Sequence, residues 1–212
     1  MDAVWKDHFD AGMRCGAASD FARAEAGFRE AIRLAPDEPY PHYELGYTLS
    51  LMGRHDEALP ELRRANELVR GFFLVQQEIF MCEQVVSGRL TQQGLELLRQ
   101  LQRLTEINWR SAQAAQMARQ AVEIAPHCAM AHYFLGKTLF DADQPAAEKA
   151  FLQCLKLQPD ETTAIYAKFH VGSLRRQAGL IAEARSIWQD AVNAHHGNLH
   201  IQFCEFGLKS LK

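Results

Sequence analysis

The fold of this chain is decided by two similar stretches, HYELGYTL at residues 42–49 and HYFLGKTL at residues 132–139. A second pair, AIRLAP at residues 31–36 and AVEIAP at residues 121–126, is separated by the same offset of 90 residues. Both members of this second pair end at proline, which cannot continue a helix. Two motifs that share one offset indicate an internal repeat, and such a repeat determines the whole architecture.

Within each repeat, small and large residues fall at fixed places, and Gly12 and Gly46 are 34 residues apart. A glycine inside a helix costs about 1 kcal/mol relative to alanine, so its recurrence needs a structural reason. We expect that reason to be the close approach of a partner helix, with a large side chain filling the space between units. The residues concerned are the glycines Gly12, Gly46, Gly136 and Gly172, the facing alanines Ala24, Ala58, Ala147 and Ala184, and the large residues Phe28, Leu62, Leu152 or Phe151, and Trp188.

This pattern of a large then a small residue, a later small residue, an aromatic, an alanine and a closing proline resembles the tetratricopeptide repeat family. The resemblance implies an all-α fold, a right-handed solenoid of antiparallel helix pairs in which no helix buries its apolar face alone. We expect a single domain over residues 1–212 with about five repeats, a helical insert and a C-terminal capping helix. The repeats are placed at 5–38, 39–72, 95–128, 129–161 and 165–198, the insert at 73–94 and the capping helix at 199–212.

The segment after the second repeat admits two layouts. An apolar stripe at helical spacing, followed by Gly88 as a stop, favours an inserted helix. The members of this stripe are Phe72, Val75, Ile79, Cys82 and Val86. The alternative is a degenerate repeat at 74–107 that leaves 110–125 as an unpaired helix.

Composition limits the partners and the compartment. The formal net charge is -3, so no basic excess is available to neutralise phosphates, and nucleic acid is not an expected partner. The apolar runs are far shorter than a membrane span, and the start MDAVWKDHFDAG lacks the pattern of a secretory signal. We therefore expect no membrane partner and a cytoplasmic protein.

The 5 cysteines are widely spaced without a CxxC, which predicts free thiols.

No catalytic fingerprint is present in the sequence, which predicts a protein that is not an enzyme and has no cofactor. Three histidines, His8, His42 and His132, fall at the same repeat position, and the repeat explains their recurrence. We interpret them as packing groups and expect no metal site.

The resemblance also implies a concave groove formed by the first helix of each repeat, where a partner peptide binds. Carried over to this chain, the groove positions give the predicted contacts Phe9, Met13, Tyr40, Tyr43, Tyr47, Arg99, Arg103, Tyr133, Lys137, Phe140, Tyr166 and Phe169. Tyrosine combines a large contact area with a hydroxyl and is common at binding surfaces. Among these residues, Tyr43, Tyr47 and Tyr133 are expected to form the principal ligand site.

Members of the family that bind chaperone tails clamp a terminal carboxylate with lysine and asparagine side chains. This chain has Phe9, Met13 and Glu44 at those places, so chaperone-tail binding is not expected. The leading hypothesis is a non-catalytic adaptor that holds an extended or helical segment of a protein or peptide. The alternatives are a structural or assembly subunit that uses its convex face, insert or tail, and an enzyme with an unrecognised site. The oligomeric state is left open.

Overall fold

The structure, a computed structural model, describes residues 4–69 and 73–211, apart from the side chain of Phe73. Phe72 and the end of the predicted second repeat lie outside these residues, as does Lys212 of the predicted cap. The described residues form α-helices and no strand, which confirms the all-α fold class. The helices are α1 Val4–Ala17, α2 Phe21–Leu34, α3 Pro39–Leu51, α4 His55–Leu68, α5 Phe73–Val86, α6 Gln92–Asn108, α7 Ala112–Ile124, α8 Ala129–Leu139, α9 Gln144–Lys156, α10 Glu161–Gln177, α11 Ile181–Ala194 and α12 Gln202–Lys209.

The chain divides into two compact units, Met1–Gly88 and Arg89–Lys212. In the first unit α1 packs on α2 and α3 on α4, and α5 packs against α4. In the second unit the pairs are α6 with α7, α8 with α9 and α10 with α11, and α12 packs on the last pair. The repeat bounds and the single continuous domain expected from the sequence stay predictions.

The recurring glycines lie where two helices of a pair approach most closely. A Cβ atom at Gly12 would lie 2.7 Å from the Phe28 ring, and a Cβ atom at Gly46 would lie 2.6 Å from Leu62 Cγ. Side-chain atoms do not approach this closely, so only glycine permits these contacts. The large residue of each pair therefore occupies the space that the missing side chain leaves.

The second unit repeats this contact. Gly136 faces the Phe151 ring, and Gly172 faces the indole of Trp188. The structure also decides between the two candidates in the α8–α9 pair, because Phe151 is fully buried whereas Leu152 is 39% exposed. The spacing from the glycine to the large residue is one residue shorter here than in the other pairs, and Pro145 lies in the first turn of α9.

Helix α5 buries Val75 and Cys82 against the core of the first unit, and Ile79 packs beside them, while the assignment of this helix as an insert stays a prediction. Val86, the last member of the predicted stripe, is exposed. The cysteines at positions 15, 82, 128, 154 and 204 are free thiols, and all but Cys15 are buried.

His42 joins the beginning of α3 to α4 and to the preceding turn. Its Nδ1 lies 2.7 Å from a carboxylate oxygen of Glu61, and its Nε2 lies 3.0 Å from the carbonyl oxygen of Pro36. Both partners only accept hydrogen bonds, so both ring nitrogens donate when the imidazole is protonated. The hydrogen bond to Glu61 raises the pKa of His42, although burial opposes this.

This contact predicts a pH-dependent contribution to stability. Because the folded-state pKa is raised, the contribution is complete below the unfolded-state pKa of about 6.5 and is lost as the pH rises through the folded-state value. His42→Gln should lower the free energy of unfolding by about 1 kcal/mol at mildly acidic pH and by less at alkaline pH. The measurement is urea denaturation of both proteins across this range.

His132 provides the control, because its Nε2 lies 2.9 Å from the carbonyl oxygen of Pro126 and no carboxylate of the described chain pairs with its ring. His132→Gln removes the matching contact with a proline carbonyl oxygen and is measured under the same conditions, so it reports the effect of losing that contact in a histidine without an acidic partner. A pH-independent effect of His42→Gln would show that Glu61 does not stabilise a charged imidazole.

Candidate functional site

The predicted contact residues of the first unit lie on α1 and α3. Tyr43 and Tyr47 are one turn apart on α3, with ring centroids 6.1 Å apart and planes inclined by 21°. Tyr40 is 55% exposed at the beginning of the same helix, and Met13 is 40% exposed on α1. Phe9 packs against Phe28 and the core, so it contributes more to folding than to the surface.

Met13 and Tyr47 line an open cavity of about 270 Å³, called here the first-unit cavity. Its walls are mainly apolar, and the carboxylate of Glu44 is its ionisable group. The lining residues are Met13, Gly16, Ala17, Phe21, Phe28, Glu44, Tyr47, Thr48 and Leu51. Burial raises the pKa of Glu44. A cavity of this kind fits a side chain that is apolar along its length and polar at its tip.

In the second unit, the predicted aromatic residues surround a histidine that sequence reasoning did not select. His170 on α10 stacks on Phe151 with ring centroids 4.9 Å apart, and Phe140 approaches its edge at 5.2 Å. Phe169 and Tyr133 lie 5.4 and 6.3 Å from the same ring. The sequence pattern VGS after this histidine marks its helix but carries no signal for its burial.

The environment of His170 makes the imidazole neutral. Burial, together with a smaller effect of the nearby charge of Lys137, lowers the pKa of His170 to about 4. Its Nδ1 is sealed from solvent and has no hydrogen-bond partner among the described residues. Such a ring acts as an aromatic wall and not as a cation.

Lys137, Phe140 and Phe169 line an open cavity of about 320 Å³, called here the second-unit cavity. Burial lowers the pKa of Lys137, which the charge of Glu106 opposes. No carboxylate of the described residues lies within ion-pair distance of its ammonium. The lining residues are Trp109, Arg110, Lys137, Phe140, Asp141, Phe169, His170, Ser173, Arg176 and Gln177. The cavity therefore places aromatic side chains beside the partly desolvated ammonium of Lys137.

The two arginines at the edge of this cavity already have partners. Arg110 forms an ion pair of 2.5 Å with Asp141, and its guanidinium lies 4.4 Å from the centre of the Trp109 ring. Arg176 donates a hydrogen bond of 2.9 Å to Ser210 Oγ. Lys137 is thus the cation of the cavity that is best placed to meet a new anion.

Not all predicted contacts gather at the two cavities. Arg99 is buried on α6 and Arg103 is exposed on the same helix, and neither lines the second-unit cavity. Tyr133 packs against the core of the second unit, and burial raises the pKa of its hydroxyl. Its role as a ligand contact stays a prediction, and its packing gives it a second role in stability.

The C-terminal segment covers part of α10. Phe203 lies 5.3 Å from the ring of Tyr166 and 5.8 Å from that of Phe169. The Tyr166 hydroxyl lies 2.8 Å from His200 Nδ1, within hydrogen-bond distance. The C-terminal segment therefore covers part of the Tyr166 side chain, while the second-unit cavity beside Lys137 remains open.

A larger depression of about 590 Å³ lies along α8 and α9, and none of the predicted contact residues lines it.

Within the described residues, no helix is long and apolar enough to cross a membrane. The same residues contain no cluster of three histidine, cysteine or acidic side chains arranged to hold a metal ion.

The comparison with known proteins agrees with the glycine-centred helix pairs. A sequence profile described as tetratricopeptide repeat matches residues 40–68, which form α3 and α4. The α3–α4 pair is therefore similar to a tetratricopeptide repeat, in agreement with the family resemblance predicted from the sequence. A search of curated proteins finds no match.

The comparison with solved structures finds matches of low sequence identity. The TPR2AB domain of yeast Sti1, solved with a pHSP90 partner, is 11% identical with a TM-score of 0.49, and the match covers 100% of this chain and 99% of that one. MamA from Desulfovibrio magneticus RS-1 is 18% identical with a TM-score of 0.40, over 89% and 93% of the two chains. The TPR domain of P58(IPK) is 17% identical with a TM-score of 0.44 over 99% of this chain, which spans only 64% of that domain.

Proposed function

We propose that this protein is a non-catalytic adaptor that holds an extended or helical segment of a partner protein. The observation that carries this proposal is the second-unit cavity. Three residues predicted from the sequence as ligand contacts, Lys137, Phe140 and Phe169, line it together, although they come from two different helix pairs. A tetratricopeptide repeat fold supports the same function, because its stacked helices offer extended surfaces for binding.

The chemistry of the cavity indicates what such a segment presents. Lys137 is partly desolvated without a carboxylate partner in the described part of the chain, so a ligand oxygen would gain a charge-assisted hydrogen bond there. Phe140, Phe169 and the neutral ring of His170 provide apolar surface beside it. We infer that the bound segment places an acidic side chain next to an apolar or aromatic one.

An assembly subunit is the second candidate, and the tail supports it. Leu199 is 82% exposed, Phe206 is 70% exposed and Phe203 is 37% exposed. Leu199 lies in a short 3-10 helix before α12, and Phe203 and Phe206 are three residues apart on α12, so apolar surface is exposed at the C-terminal cap. An exposed apolar surface of this kind suits contact with another protein.

Selection from a random peptide library, displayed on phage, tests the adaptor proposal. Peptides selected on the intact protein should be rich in acidic and aromatic residues. Lys137→Met should weaken their binding about tenfold, which corresponds to about 1.4 kcal/mol, and should leave the melting temperature unchanged or higher because a desolvated charge is removed. Lys156→Met, a change at an exposed lysine outside the cavity, is the matched control.

The same peptides distinguish the two candidates. If they bind the Lys137→Met protein as tightly as the intact protein but are lost from a Phe206→Ser variant, the tail is the binding surface. The assembly-subunit function then replaces the adaptor function.

A further inference from the structure

Glu44 occupies an unusual position for a carboxylate. It lies on α3 between the core residue Leu45 and the stacked Tyr43, and it faces the first-unit cavity beside Met13 and Leu51. Within residues 4–69 and 73–211, it forms no hydrogen bond or ion pair. A partly buried carboxylate without a partner destabilises a fold, so it needs a compensating interaction or a function.

Among the described residues, no charged group near Glu44 compensates its charge. Burial alone accounts for the raised pKa of Glu44, and no neighbouring charge contributes. The walls supplied by Met13, Phe28 and Leu51 are apolar, while Tyr47 offers an aromatic face. The cavity is thus complementary to a cation carried on an alkyl chain.

We propose that the first-unit cavity binds a basic side chain, lysine or arginine, of a partner segment. The alkyl part of that side chain lies against Met13 and Leu51, and its charged end pairs with Glu44. Tyr47 adds an aromatic surface that favours a cation. The assignment rests on the proposed adaptor function only in taking the ligand from a protein partner, because the cavity and its charge are independent of the second unit.

The two cavities have opposite charge preferences. Lys137 in the second-unit cavity suits an anion, whereas Glu44 suits a cation. An apolar depression without charge selection would bind cationic, anionic and neutral alkyl compounds alike. Small compounds that differ only in their charged end therefore separate charge recognition from hydrophobic burial.

The experiment uses the full chain labelled with ¹³C at its methionine methyl groups, with the Met13 methyl as the reporter. The probes are n-butylammonium, which imitates a lysine side chain, n-butanol and butyrate. We expect a saturable shift of the Met13 methyl with n-butylammonium, a weaker response to n-butanol and none to butyrate. Glu44→Gln should weaken n-butylammonium binding about fivefold, the effect of a partly solvated ion pair.

Two controls keep the result interpretable. Glu44→Gln removes an unpaired, partly buried charge, so its melting temperature should equal or exceed that of the intact protein, and loss of binding cannot then be ascribed to unfolding. Glu38→Gln, at the residue before α3 and outside the cavity, should bind n-butylammonium normally.

Equal responses to the three probes, no saturable response, or unchanged n-butylammonium binding by Glu44→Gln would each overturn the inference. Failure of the adaptor function has a different signature. In that case the selected peptides no longer depend on Lys137, while n-butylammonium still binds through Glu44.

Discussion

Replacing Gly136 by leucine should lower the free energy of unfolding by about 3 kcal/mol or more, at the upper end of overpacking costs. A Cβ atom at this position would lie 2.8 Å from the ring of Phe151. Phe151 is fully buried and stacks on His170, so the ring cannot swing into solvent without opening the core. The helices α8 and α9 must separate to admit the larger side chain.

Gly46→Leu should have an effect of the same size in the first unit. Its Cβ atom would meet Leu62 Cγ at 2.6 Å and the Ala58 carbonyl oxygen at 3.1 Å. The second contact is with backbone, which no side-chain rotation relieves. Both variants are measured by urea denaturation followed by circular dichroism.

Gly16→Ala is the matched control for these substitutions. A Cβ atom there would lie 3.9 Å from that of Ala24, an ordinary contact, and alanine is the better helix former by about 1 kcal/mol. The control should therefore be as stable as the intact protein or more stable. Denaturation midpoints that stay unchanged in both leucine variants would contradict the register of the helix pairs.

Much of the fold was predictable because each repeat has small and large residues at fixed positions in the sequence. A glycine inside a helix is costly, and its return at fixed intervals by itself indicates a contact with a second helix. The pairing of Gly12 with Phe28 and of Gly172 with Trp188 follows from this pattern. The choice of Phe151 over Leu152 did not follow, because the one-residue shortening of that pair left both registers open.

The candidate site was less predictable, because burial depends on neighbours that are distant in sequence. Tyr40 and Tyr133 were both assigned to the predicted groove, yet Tyr40 is 55% exposed whereas Tyr133 packs against Phe151, Tyr166 and His170. Glu44 and His170 stand out only because other side chains bury them, and sequence spacing does not identify those neighbours. The sequence selected Lys137, Phe140 and Phe169, but it gave no reason for them to share one cavity.

The second large effect is expected at Trp188, which joins the cap to the last helix pair. Trp188→Ala should cost about 3–5 kcal/mol, the range for removing a large buried aromatic side chain. The indole is 1% exposed and lies between Gly172 and Gly207, where a Cβ atom at Gly207 would be 2.7 Å from the ring. Its Nε1 donates a hydrogen bond of 3.1 Å to the carbonyl oxygen of Phe169.

Loss of this indole should free α12 as well as destabilise the α10–α11 pair, because Gly207 and Cys204 pack beside it in the same core. Hydrogen exchange measured by mass spectrometry should show the amides of α12 exchanging faster in Trp188→Ala than in the intact protein.

Trp188→Phe keeps an aromatic ring but lacks the hydrogen-bond donor, so its effect should be intermediate. Trp5→Ala, at a half-buried tryptophan of α1, is the control and should leave exchange in α12 unchanged. If α12 exchanges at the intact rate in Trp188→Ala, its attachment comes instead from Phe203 against Tyr166 and Phe169, on the side of α10 where ligand contacts are predicted.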